Sequence, residues 1–136
     1  MPLMTWTEKM SVGVAVLDND HRKLVGMVNT LFDEIKSGKG KEGVGRTLDG
    51  LVSYTVEHFK REEQFFAKTS YSESAAHTTE HQNLCKQVAD IQQKYKAGAT
   101  TALTLDVMSF LKNWLTNHIM GSDKKYGPHL NSKGIK

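Results

Sequence analysis

One cysteine, Cys85, in 136 residues leaves no partner for an internal disulfide, so no covalent staple holds this fold. No apolar run approaches the ~20 residues of a membrane span. The longest early stretch, Val12 to Leu17, covers six positions and includes Gly13. The opening residues Met1-Pro2-Leu3-Met4-Thr5-Trp6 lack the charged-then-apolar layout of a secretory leader. These absences set the expectation of a cytoplasmic protein with no membrane insertion. A basic surface is missing as well. The formal net charge is +3, but Lys124, Lys125, Lys133 and Lys136 crowd the end of the chain, and without those four the 15 acids balance the remaining basic residues. A nucleic-acid partner needs Lys and Arg clustered on a folded face, so none is expected. Strand-like alternation and internal repeats are also absent.

What is present is a globular composition, 38% hydrophobic and 24% charged. A chain of this length buries roughly two-thirds of its unfolded surface. Apolar residues recur at three-four spacing in four blocks, the mark of amphipathic helices. The first block carries Leu17, Leu24, Val25, Val28, Leu31, Phe32 and Ile35, with Asp18 as its expected cap and Ser37-Gly38 as its end. After the polar break Gly38-Lys39-Gly40-Lys41, the second carries Val44, Leu48, Leu51, Val52, Thr55, Phe59, Phe65 and Phe66. Gly43, Gly45 and Gly50 weaken its early turns by about 1 kcal/mol each relative to Ala. Ser70 and Glu73 have capping-box spacing and mark a third start. That block reads Leu84, Val88, Ile91 and Tyr95 and ends at Gly98. The fourth starts near Thr100 or Thr101 and shows Leu103, Val107, Leu111, Trp114 and Leu115; Gly127-Pro128 is expected to stop any helix beyond. Short connections make sequential helices antiparallel. The expectation is an all-α, up-down-up-down four-helix bundle in one domain, 1–136, with an N-terminal arm at 1–17 anchored by Trp6, a bundle at 18–126 and a basic tail at 127–136.

Polar residues lie on these apolar stripes. His21 sits on the first, His58 and Glu62 on the second, His77 and His81 on the third, and His118, followed by Asp123, on the fourth. The i, i+4 pairs put two side chains on one face. Asp123 is i+5 from His118, which a regular helix turns away; a bend at Gly121 is the expected remedy. Each residue alone reads as a core or surface group. Together, five of six histidines face one interior, and that many unpaired imidazoles carry a large desolvation cost. Metal binding removes it. Seven donors exceed the four of a tetrahedral zinc and suit two octahedral ions that share carboxylates. Iron, manganese, zinc and copper all remain open on residue type. The sixth histidine, His129, reads as surface.

The ordered set His21, His58-x-x-x-Glu62, His77-x-x-x-His81 and His118-x-x-x-x-Asp123, one element per helix, resembles the bacterial members of the hemerythrin family over nearly the whole chain. The resemblance implies two irons with a bridging oxo or hydroxo group. His77, His81 and His118 would hold one iron and His21 and His58 the other, with Glu62 and Asp123 bridging. O2 would bind end-on at the open iron and leave as O2. Leu24, Phe59, Trp114 and Leu115 match the family's apolar O2 pocket, and Trp6 and Tyr126 also resemble pocket residues. The implied role is O2 transport, storage or delivery by a monomer, with an oxidase or other redox protein as its partner. No enzyme activity is implied.

Glu-rich di-iron sites of the ferritin type activate O2. A site with five neutral imidazoles and an apolar rim favours return to the diferrous state. The competing readings are a di-iron redox enzyme, an iron-handling protein and an O2 or redox sensor. His77-Thr78-Thr79-Glu80-His81 also fits a zinc-peptidase motif with Glu80 as base, but that reading leaves His21, His58 and His118 unexplained. Glu80 therefore reads as a solvent-facing neighbour, and Cys85 as a small core residue.

Overall fold

The computed structural model describes residues 3–38, 41–98 and 105–136. Lys39, Gly40, Thr100, Thr101 and Leu103, and with them the expected start of the fourth helix, lie outside the described residues, as does the side chain of Val107. The elements are α1 (Ala15–Lys36), α2 (Lys41–Thr69), α3 (Ser74–Lys96), α4 (Leu105–Asn117), a π-helical turn (His118–Asp123) and α5 (Lys124–Ser132). A short 3-10 turn, Glu8–Met10, interrupts the arm that precedes α1. The fold is an all-α four-helix bundle, and the described residues contain no strand. No helix among them is long and apolar enough to cross a membrane.

Two apolar clusters hold the helices. The larger includes Leu24, Val28, Leu31, Leu48, Leu51, Phe59, Leu84, Val88, Leu111 and Leu115. The smaller joins Val12, Val14, Leu17, Phe66, Tyr71, Tyr126 and Leu130. In α1 the small cluster precedes His21 and the large one follows it; in α2 the order around His58 is reversed. This is the antiparallel arrangement that short connections predict, and it places the histidines between the two clusters.

Helix boundaries differ from the expectation where local motifs were read in isolation. The first helix begins at Ala15, with Val14 at the cap position. Asp18 therefore sits inside the helix and accepts instead from the Val12 N–H at 2.8 Å and the Ser11 hydroxyl at 2.6 Å, which ties the arm down. Ser70 does not start α3. It adopts φ 55° and ends α2, where the Tyr71 N–H reaches the Phe66 carbonyl at 3.1 Å. That bond and the Phe66–Tyr71 ring contact at 5.0 Å form a Schellman C-cap. Glu73 makes no side-chain cap bond; its carboxylate accepts from the Tyr71 hydroxyl.

The chain end is also more ordered than its composition suggests. Residues Lys124–Ser132 form α5 despite Pro128. Proline removes one backbone donor, but Tyr126 and Leu130 are fully buried on either side of it, so packing overrides the breaker. A Cβ on Gly127 would meet the Val12 carbonyl oxygen at 2.2 Å; only glycine lets α5 cross the arm this closely. The Asn131 amide donates to the Gly13 carbonyl at 3.0 Å and Lys124 to that of Lys9 at 2.8 Å. His129, expected at the surface, is half-buried with Nε2 3.0 Å from the Thr69 carbonyl. Trp6 packs half-buried at the edge of the large cluster under the Arg22 guanidinium. Met4, Met10, Val12 and Val14 anchor the arm more deeply than Trp6 does.

Candidate metal centre

All seven singled-out donors converge between the two clusters. His21, His58, Glu62, His77, His81, His118 and Asp123 are each between 0 and 4% exposed. Helix periodicity accounts for six of them. Asp123 needs another device, because five residues of α-helix rotate a side chain by about 140°. The π-helical turn His118–Asp123 supplies it. Such a turn holds one residue more than an α-turn, and it returns the Asp123 carboxylate to 3.0 Å from His118 Nε2. A widened turn, not a bend at Gly121, does this work; Gly121 is exposed with open space around it.

The donors fall into two sets, each with atoms within 4.8 Å of one another: Glu62, His77, His81, His118 and Asp123; and His21, His58, Glu62 and Asp123. Both carboxylates belong to both sets, one oxygen toward each. Glu62 Oε2 lies 3.4 Å from His21 and 3.2 Å from His58, while its Oε1 lies 3.5 Å from His77 and 3.0 Å from His81. Asp123 Oδ2 is 3.0 Å from His21, and Oδ1 is 2.8 Å from His77.

These separations are short, yet the atoms are not aligned as hydrogen bonds. The Nε2 atoms of His21, His77, His81 and His118, Glu62 Oε1 and both Asp123 oxygens are buried without a hydrogen-bond partner. Buried polar atoms left unpaired in such number call for an explanation. A cation at the common focus is one, since it takes the lone pairs directly. The donor set fits such an ion: imidazole and carboxylate suit divalent first-row metals.

Electrostatics agree. Burial disfavours a charged His21 imidazole, but Asp123 and Glu62 raise its pKa from 6.5 to about 10. The same opposition raises His77 to about 9. Burial likewise opposes the Glu62 and Asp123 charges, yet the surrounding imidazoles keep Glu62 well below the usual carboxylate range and Asp123 low as well. The pocket therefore attracts positive charge, and a metal ion taken up there would replace protons.

A second layer supports the first. His58 Nδ1 lies 2.8 Å from Asp20, His81 Nδ1 2.9 Å from Glu63, and His118 Nδ1 3.0 Å from Glu80. The Tyr126 hydroxyl, fully buried, donates to Glu62 Oε2 at 2.6 Å. Burial and the neighbouring carboxylates push that phenol well above 10, so it stays a donor. Residue patterns alone missed Asp20 and Glu63 and left Glu80 facing solvent. Glu80 is half-exposed but also accepts from Ser122 at 2.7 Å. The available signal was adjacency: each of these acids neighbours a donor in the chain.

The four expected pocket residues, Leu24, Phe59, Trp114 and Leu115, line one apolar cavity of about 30 Å³ on the large-cluster side. Phe59 stacks on His81 with centroids 3.7 Å apart, and Trp114 on His118 at 4.5 Å.

The hemerythrin HHE cation binding domain matches residues 12–130. The bacteriohemerythrin of Methylococcus capsulatus is 41% identical over 97% of this chain and all of its own length. That of Stenotrophomonas maltophilia is 33% identical over 96% of this chain and 86% of its own. A crystal structure of wild-type hemerythrin superposes with a TM-score of 0.88 at 40% identity, covering 94% of this chain and 98% of that one. Fold, buried donor cluster and extended similarity agree: the chain belongs to the hemerythrin family.

Proposed function

We propose that this protein binds O2 reversibly at a pair of iron ions and serves in its transport, storage or delivery. The observation that carries the reading is the division of seven buried donors into two sets sharing Glu62 and Asp123, beside an apolar cavity. In this reading His77, His81 and His118 would hold one iron, and His21 and His58 the other. Glu62 and Asp123, which belong to both sets, would be shared between the two ions, with an oxo or hydroxo group completing the centre. The His21/His58 set has one imidazole fewer than the other, so an ion held there would be the one to take O2. When bound, the iron pair supplies the two electrons that O2 takes on binding and returns on leaving.

The chain's own residues favour return over reaction. Five imidazoles and two carboxylates bring less negative charge than a Glu-rich site, so the oxidised state is stabilised less. Tyr126 holds one Glu62 oxygen by a hydrogen bond and fixes that carboxylate's orientation. Leu24, Phe59, Trp114 and Leu115 keep the cavity side apolar. A water molecule needs about 10–15 Å³ and two to four polar partners. The cavity has the room but too few partners: the Thr55 hydroxyl, which lines it, already gives its proton to the Leu51 carbonyl at 2.7 Å and can offer water only an acceptor. An apolar diatomic needs no such partner. Water and protons are thus kept away while O2 is admitted.

Metal analysis with visible spectroscopy over O2 cycles tests the reading. The expected result is iron in the purified protein and an O2-dependent band that disappears under vacuum and returns with O2. One zinc per chain after growth in iron-rich medium, or rapid turnover of O2 with a simple reductant, would overturn it.

A further inference from the structure

Three carboxylates outside the donor set form a chain around the bundle. Asp20 precedes His21 on α1 and meets His58 on α2. Glu63 follows Glu62 on α2 and meets His81 on α3. Glu80 precedes His81 on α3 and meets His118 after α4. In each case an acid carried beside a donor on one helix takes the Nδ1 of an imidazole presented by the next helix. We propose that Asp20, Glu63 and Glu80 are positioning residues of the metal centre, and that Asp20 sets how firmly the His21/His58 position holds its ion.

Two observations set Asp20 apart. Its side chain is 6% exposed, against 36% for Glu63 and 45% for Glu80. Both of its oxygens are also engaged: Tyr54 donates to Oδ1 at 2.5 Å, and Arg61 donates to the Oδ2 that faces His58. A buried acid locked by two donors cannot swing away, and solvent screens it little. Glu63 and Glu80 are screened and freer to move.

The two metal positions also depend on this support unequally. In the three-imidazole set, His81 and His118 both have an outer carboxylate, so loss of one leaves the other. In the two-imidazole set only His58 has one, because His21 Nδ1 is buried without a partner. Outer carboxylates fix the tautomer and orientation of a metal-binding imidazole and raise its basicity. Removing Asp20 therefore strips the His21/His58 position of all such support while leaving the other position intact.

The inference rests on the two-ion division proposed above, and cobalt titration separates the two claims. Metal-free protein is titrated with Co(II) in competition with a chromophoric chelator, and each step is followed by visible absorption. Wild type is expected to take up two Co(II) in a tighter and a weaker step. Asp20→Asn is expected to weaken the weaker step about 10–100-fold and leave the tighter one unchanged. Glu63→Gln and Glu80→Gln are expected to weaken the tighter step, each by less than about tenfold. Slow exchange of the His58 Nδ1 proton, read by NMR, is expected in wild type and lost in Asp20→Asn. If Asp20→Asn binds both ions as wild type does, or weakens both steps equally, the inference is overturned. A wild-type uptake of one Co(II) overturns the two-ion division, and the inference with it. Should Asp20→Asn not fold, Tyr54→Phe decides, since it loosens Asp20 without removing its charge. Weakening confined to the weaker step supports the inference, and unchanged binding overturns it.

Discussion

Leu115 lies three residues before His118, so the two share a helix face, and it lines the apolar cavity beside the centre. Two jobs compete for such a side chain: filling the core and keeping water from the proposed iron pair. Leu115→Ala separates them. It removes three heavy atoms from a buried position, which lowers stability by about 2–5 kcal/mol. If the side chain also guards the site, iron content stays near wild type while autoxidation of the oxygenated protein accelerates markedly. Thermal melting and autoxidation measured on one preparation check this. A lower melting temperature with an unchanged autoxidation rate would assign Leu115 to packing alone.

At the scale of elements, the informative piece is the π-helical turn His118–Asp123. It contains one residue more than an α-turn, so deleting exposed Gly121 leaves the His118 and Asp123 side chains at i, i+4, which an α-helix also places on one face. Metal binding is expected to survive that deletion. Inserting an alanine beside Gly121 rotates Asp123 and all of α5 by a further ~100°, and metal binding is expected to be lost. Metal content of the two variants checks this, and the opposite order would show that the turn does not set the donor geometry.

This turn also marks what the sequence could and could not disclose. The stripes that gave four helices and six of the donors were legible because 3.6-residue periodicity survives wherever a helix is regular. Asp123 breaks that period, so spacing paired it with His118 only through an expected bend at Gly121, where the structure has a π-helical turn. Asp18 and Ser70 were misread for a related reason. Their cap-like surroundings are local, but the chain's tie to the arm and the Schellman end of α2 depend on where a helix begins or stops. The carboxylates Asp20, Glu63 and Glu80 were hidden because each acts on a neighbouring helix, and sequence spacing along one helix says nothing about that contact.

For the whole molecule, the buried cluster makes metal-free stability depend on pH. His21 and His77 rise from 6.5 to about 10 and about 9 in the fold, where carboxylate attraction outweighs burial. The folded protein thus holds protons that the unfolded chain has released between those values. Their contribution is complete below about pH 6.5 and fades as pH rises through 9 and 10. The melting temperature of metal-free protein is expected to fall across that window, and that of the iron-loaded protein to change much less, because the metal has replaced the protons. A metal-free melting temperature that stays flat or rises from pH 6.5 to 9 would count against a proton-filled cluster.

The central claim is reversible O2 binding by two irons within one buried site, and the ratio of gas to metal tests it most directly. Iron per chain is determined on the reduced protein, which is then saturated with O2, evacuated, and the released gas measured. The account predicts one O2 released for every two irons, repeated over successive cycles with little hydrogen peroxide formed. Uptake without release, or one O2 for each iron, would contradict it.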